Sequence, residues 1–158
     1  MREYIVTCCS TADMSRTFME TNEVPFAMFH YQLDGKEYAD DLYSSISPEE
    51  FYKMIGDGAQ PVTSQVNAEA YCALFEPVLK SGKDVLHLTL SSGISGSINS
   101  ANVAKAQMEE KYPDRRVMVV DSLAASSGYG MLVEQTLENQ RAGMSLEENA
   151  AWIVAHRN

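Results

Sequence analysis

Ser91-Ser-Gly-Ile-Ser-Gly-Ser97 is the stretch whose residue types best fit a chemical task. It follows the apolar run Asp84–Leu90 and leads directly into a helical pattern. A helix that starts there presents unpaired backbone amides, and these favour an anion. Gly93 and Gly96 allow a ligand to approach the backbone closely. Ser95 can add a hydroxyl donor to the same anion. Serines that merely cap the helix would account for the same residues, and spacing alone does not decide between the two readings. The chain contains no G-x-x-x-x-G-K-[ST] phosphate loop, and the turn is not a G-x-G-x-x-G dinucleotide fingerprint.

Two more segments gather hydroxyls after strand-like runs: Thr7–Asp13 and Asp121–Gly130. Pro61-Val-Thr-Ser-Gln65 reads as a further polar loop. A second chemistry is a serine hydrolase, because Ser95, Asp121 and His156 occur in the chain order of an α/β hydrolase. Gly93-Ile-Ser-Gly-Ser97 breaks G-x-S-x-G at its last position, however, and His156 falls in a helical pattern instead of a loop. Asp34, Asp40 and Asp41 lack EF-hand spacing, so no metal is expected. His87 lies mid-strand and reads as a satisfied core histidine. Cys8, Cys9 and Cys72 cannot all pair within one chain, and no C-x-x-C occurs. They read as reduced thiols.

These groups need a scaffold. Tyr4–Thr7, Phe26–Tyr31, Asp84–Leu90 and Val117–Val120 have strand character. Asp34-Gly35 signals a hairpin. Ser47-Pro-Glu-Glu50 and Ser145-Leu-Glu-Glu148 are capping boxes that open helices, the second over Leu146 to about His156. Asn67 caps a helix carrying Tyr71, Leu74, Phe75 and Val78, which Pro77 is expected to kink. Ile98–Tyr112, and a stretch from after Ser122 to Arg141, complete the helices. Strands alternating with helices give an α/β fold, a mostly parallel sheet with helices on both faces. In such sheets ligands bind outside the carboxyl ends of the strands, where the hydroxyl-rich turns fall.

The totals narrow the function. The chain has 158 residues, 45% hydrophobic and 22% charged, which suits one folded domain. A net charge of −10 with no basic cluster argues against nucleic acid. No apolar run reaches the ~20 residues of a membrane span. The N-terminus lacks a secretory h-region. A soluble, cytoplasmic protein without integral membrane association is expected.

Taken in order, the motifs resemble the DegV family. They are Ser10-Thr-Ala-Asp13, Asp34-Gly-Lys-Glu-Tyr38, Ile46-Ser-Pro-Glu-Glu-Phe-Tyr52 and Thr63-Ser-Gln65. Ser91–Ser97, Val120-Asp-Ser122, Ser126–Gly130 and Ser145-Leu-Glu-Glu148 follow. The resemblance implies the N-terminal domain of a bacterial fatty-acid-binding protein, with residues 1–158 as one domain. It implies that a long-chain fatty acid is held between two α/β domains. The carboxylate is then presented to a separate fatty acid kinase that makes acyl phosphate for phospholipid synthesis. It implies a carrier with no catalytic centre and no cofactor. The carboxylate ligands carried over are Thr63 and Ser95, with the Gly96 amide and Ser92 nearby. Neutral hydroxyls at a helix end suit a carrier, since they hold an acid without a tight ion pair. Most affinity then comes from the tail, at about 0.8 kcal/mol per buried methylene.

The pattern departs from the family at Cys9, where Asp is frequent, at Val66, where Pro is frequent, and at Ser97, where Thr is usual. Family members are also much longer, so the second, C-terminal lipid-binding domain is expected to lie outside this chain. Weak or absent fatty-acid binding by this chain alone follows. A non-catalytic interaction module that dimerises through an exposed apolar face is the remaining alternative.

Overall fold

A computed structural model describes residues 2–157. The chain opens with β1 (Tyr4–Cys9), a 3-10 turn (Ser10–Ala12) and α1 (Arg16–Thr21). Three short strands follow: β2 (Phe26–Ala27), β3 (His30–Leu33) and β4 (Lys36–Ala39). Then come α2 (Pro48–Gly56), β5 (Val62–Ser64), α3 (Ala68–Lys80), β6 (Asp84–Thr89) and α4 (Ser97–Lys111). The chain closes with β7 (Val117–Asp121), α5 (Ser126–Arg141) and α6 (Leu146–His156).

The main sheet has the order β2-β1-β6-β7, and every pairing in it is parallel. α3 packs with α4 and α5 packs with α6, and helices cover both faces of the sheet. Every residue of β6 is buried, as a central parallel strand requires. Val6, Val85, Leu86, Leu88, Val117 and Ile153 lie in the packed interior. The chain runs from β1 to β2 on one side, then returns to place β6 on the other side of β1. The strand order therefore reverses between β1 and β6, and the crevice at their carboxyl ends is the expected ligand position.

A separate antiparallel sheet, β4-β3-β5, was not foreseen beyond its hairpin. Asp34 (φ 50°) and Gly35 (φ 78°) make the two-residue turn between β3 and β4, both in the left-handed region that a type I′ hairpin needs. The apolar run Phe26–Tyr31 is not one strand. Its first two residues pair with β1, and from His30 it joins the second sheet. Phe29 marks the break: its N–H donates to Ser10 Oγ at 3.1 Å, and its carbonyl accepts from Asp40 N–H at 2.8 Å. Pro61–Gln65 is likewise not all loop, because Val62–Ser64 pair with β3. Its three strand residues are all exposed, so no in-out alternation betrayed them.

Both capping boxes form. Ser47 Oγ accepts from Glu50 N–H, and the Glu50 carboxylate accepts from Ser47 N–H at 3.0 Å. Ser145 and Glu148 repeat the arrangement. Asn67 Oδ1 caps α3 through Ala70 N–H at 2.8 Å. α3 continues through Pro77 as one helix.

Candidate functional site

The Ser91–Ser97 turn is held from within and from β7. Ser91 O accepts the N–H groups of Ile94 and Ser95, both at 3.1 Å, and Ser91 Oγ accepts Gly93 N–H at 3.2 Å. Asp121 Oδ1 accepts Ser92 N–H at 3.1 Å and Leu123 N–H at 3.0 Å, tying together the ends of β6 and β7. Burial alone would raise the Asp121 pKa. The bonds from Ser92 and Leu123 outweigh it and hold the carboxyl below its ordinary value.

α4 starts without a side-chain cap, since its N-cap is Gly96. Ser97 N–H is satisfied by Ser95 Oγ at 3.2 Å, and the two hydroxyls meet at 2.9 Å. The amides of Gly96 and Ile98 have no hydrogen-bond partner among the described residues. Serine capping therefore explains one amide of this turn and leaves two free beside the half-buried Ser95.

Thr63 lies in β5 opposite Tyr31, and its side chain is exposed. It lines a cavity of about 310 Å³ with Phe29, Tyr31, Ile46, Phe51 and Tyr52. Two residues on, Gln65 packs against Gly96: a Cβ on Gly96 would lie 2.8 Å from Gln65 Oε1 and 2.9 Å from Nε2. Gly96 has φ −79°, so what glycine supplies here is room for that side chain. The structure thus brings the Thr-Ser-Gln segment to the Ser-Gly-Ile-Ser-Gly turn through Gln65. Thr63 and Ser95 share no hydrogen bond, and Ser92 is exposed, engaged through its amide.

Gln65 and Thr11 were missed from sequence. Thr11 Oγ1 is buried, has no hydrogen-bond partner and belongs to a residue on the cavity wall. Thr11 falls in the hydroxyl-rich Thr7–Asp13 segment, but nothing in the sequence set it apart from its neighbours there. Asp40, on the same wall, has its pKa raised by burial.

Beneath the turn lies a buried polar cluster. His87 Nδ1 meets Thr7 Oγ1 at 2.9 Å, and Nε2 lies 3.8 Å from Cys9 Sγ. Burial pushes the His87 pKa down to about 3, so the imidazole is neutral. Tyr71 Oη lies 3.4 Å from Cys9 Sγ. Burial raises the pKa of Cys8 and Cys9, so neither is an activated nucleophile.

The hydrolase alternative fails on geometry. His156 stacks on Trp152 with ring centroids 4.1 Å apart, and its Nδ1 meets Trp152 O at 2.8 Å. Asp121 serves backbone amides, and Ser95 pairs with Ser97. Among the described residues no group of three His, Cys, Asp or Glu could hold a metal, and no helix is long and apolar enough to cross a membrane.

Comparison with known proteins places this architecture. The family model described as "Uncharacterised protein, DegV family" matches residues 5–158. A DegV domain-containing protein of Clostridium perfringens is 32% identical over 158 residues, which cover 100% of this chain and 54% of that protein. The solved structure of a fatty-acid-binding DegV family protein from Thermus thermophilus superposes with a TM-score of 0.87 at 31% identity, over 99% of this chain and 54% of that one. A stearic-acid-binding protein from Eubacterium ventriosum gives 0.87 at 28% identity, over 96% of this chain and 52% of the other. The chain thus spans about half the length of the relatives it matches. With the family model covering nearly all of its residues and the same fold in its solved relatives, the chain belongs to the DegV family.

Proposed function

We propose that this chain supplies the head-group side of a long-chain fatty-acid site, with the carboxylate seated by the Ser95 hydroxyl and the Gly96 amide and reached by Thr63 and Ser92. The observation that carries this reading is the pair of free amides, Gly96 and Ile98, beside Ser95 at the strand-order reversal. Gln65 against Gly96 supports the placement of Thr63. The fatty-acid ligands named for the Thermus and Eubacterium relatives support the substrate class.

In this reading the protein is a cytoplasmic carrier, and residues 1–158 are its N-terminal domain. A second domain supplies the rest of the acyl pocket, and a fatty acid kinase receives the presented carboxylate. A fluorescent fatty acid titrated into the 158-residue chain should bind weakly, and into a polypeptide of family length tightly. Ser95→Ala and Thr63→Val should each weaken the longer protein about tenfold, the size of one or two lost hydrogen bonds to a charged group. Unchanged affinity in both variants, or no fatty acid held by the longer protein, overturns the reading.

A further inference from the structure

The cavity of about 310 Å³ is bounded by the Ser10–Ala12 turn, the antiparallel sheet and the start of α2, and none of Ser91–Ser97 lines it. Its walls are aromatic. Tyr31 stacks on Tyr38 with ring centroids 5.5 Å apart. Phe51 meets Tyr31 edge-on at 5.4 Å and Tyr52 at 5.5 Å. The face of an aromatic ring is its negative pole, so such walls suit a cation. The chain already uses the stack in this way, since Lys36 Nζ sits over the Tyr38 ring, 4.8 Å from its centroid.

The polar groups on the walls prefer the same sign. Asp13, Asp40 and Asp41 line the cavity, and none of them forms an ion pair with Lys or Arg among the described residues. Asp41 is engaged otherwise. Its Oδ1 accepts Ser44 N–H at 2.9 Å and Ser45 N–H at 3.2 Å, and Arg16 donates to its carbonyl at 2.5 Å. Asp13 and Asp40 are left without a countercharge. Burial raises the Asp40 pKa; a bond from Ser10 opposes the rise and the nearby Asp13 charge adds to it. Phe29 holds Asp40 beside the turn, because its carbonyl accepts Asp40 N–H at 2.8 Å while its own N–H donates to Ser10 Oγ at 3.1 Å. Thr11, the next residue, carries the buried hydroxyl oxygen that has no hydrogen-bond partner. Buried polar atoms of folded proteins are nearly always paired, and a donor seated in the cavity supplies the missing bond.

Ring faces and two unpaired carboxylates select positive charge. The unpartnered Thr11 oxygen selects a cation that carries N–H groups. A hard metal ion wants about six oxygen ligands, and no group of three His, Cys, Asp or Glu that could hold a metal occurs among the described residues. We propose that this cavity is a second ligand site and takes a small aliphatic primary ammonium ion. Its N–H groups reach Asp13, Asp40 and Thr11 Oγ1, and its methylene groups lie against Tyr31 and Phe51. Thr63 is the one residue shared with the proposed head-group seat, and the ammonium site does not depend on its role there.

The test is a titration of the ¹⁵N-labelled chain, followed by nuclear magnetic resonance. The probes are n-hexylammonium, neutral 1-hexanol, tetramethylammonium, which is a cation without N–H groups, and octanoate, a soluble fatty acid. Hexylammonium should shift the Thr11 and Asp40 amides and bind about tenfold tighter than hexanol. Its methylene protons should show nuclear Overhauser contacts to the Tyr31 and Phe51 rings. Octanoate should leave the Thr11 and Asp40 amides unmoved. Asp40→Asn should weaken both cations about tenfold. Thr11→Val should weaken hexylammonium and leave tetramethylammonium as it was. The site is overturned if hexanol binds as tightly as hexylammonium, or if the parent chain shows no ring contacts to the bound amine. It is overturned equally if Asp40→Asn binds hexylammonium as the parent does, or if octanoate moves the Thr11 and Asp40 amides as far as hexylammonium. A loss in Thr11→Val that is the same for both cations removes the choice of a primary ammonium.

Discussion

Two single residues carry predictions of opposite character. Gly96→Ala places a methyl group against the end of the Gln65 side chain, 2.8 Å from Oε1. That side chain is exposed and free to swing, so the variant should melt within a degree or two of the parent, the behaviour of a change that costs only a few tenths of a kcal/mol. If the proposed head-group seat is right, fatty-acid affinity should still fall, because the Thr-Ser-Gln segment loses its contact with the turn. Melting curves beside a ligand titration separate the two effects. His87 acts through protons. Its folded pKa of about 3 lies below the unfolded value of about 6.5. Between those values the unfolded chain binds a proton that the folded chain refuses. Stability should therefore fall as pH drops through 6.5, at up to ~1.4 kcal/mol per pH unit. Urea midpoints at pH 7, 6 and 5 should show the decline, and His87→Gln should flatten it.

Among the elements, α5 is the one whose position depends on an absent side chain. A Cβ on Gly130 would lie 2.7 Å from the Ala12 carbonyl and 2.6 Å from Met14 Sδ. One of those atoms is backbone, so it cannot simply swing aside. Gly130→Ala should cost about 1–3 kcal/mol, as overpacked sites do, and a lowered urea midpoint would register it. The close approach seats α5 on the Ser10–Ala12 turn and lets Tyr129 Oη accept Cys9 N–H at 3.0 Å. The sequence spelled out the helices well, because each has a local signal: Ser47, Asn67 and Ser145 cap the helices they were expected to cap. The parallel strands were legible through their apolar runs. The second sheet was not, since β5 owes its existence to a partner some thirty positions away, as the Tyr31–Thr63 pairing shows. The break at Phe29 was hidden for the same reason, resting on Ser10 and Asp40. At the site, Ser95 and Gly96 stood out by spacing. Thr63 came only through family resemblance, and the contact of Gln65 with Gly96 had no local signature.

Over the whole molecule, charge and site point in different directions. The chain carries 22 acidic against 12 Lys and Arg residues. The cavity wall bears Asp13, Asp40 and Asp41, with no Lys or Arg lining it among the described residues. The proposed head-group seat is built from hydroxyls and amides, which reach only as far as contact. An incoming carboxylate therefore meets a repulsive field before it meets a donor. Adding salt shortens the range of that field, to about 8 Å at physiological ionic strength. Octanoate should consequently associate faster as sodium chloride is raised, and its departure rate should hardly change. A guanidinium-lined seat would give the reverse trend in stopped-flow traces. The acidic surface thus acts as a toll on arrival, and dissolved salt partly lifts it.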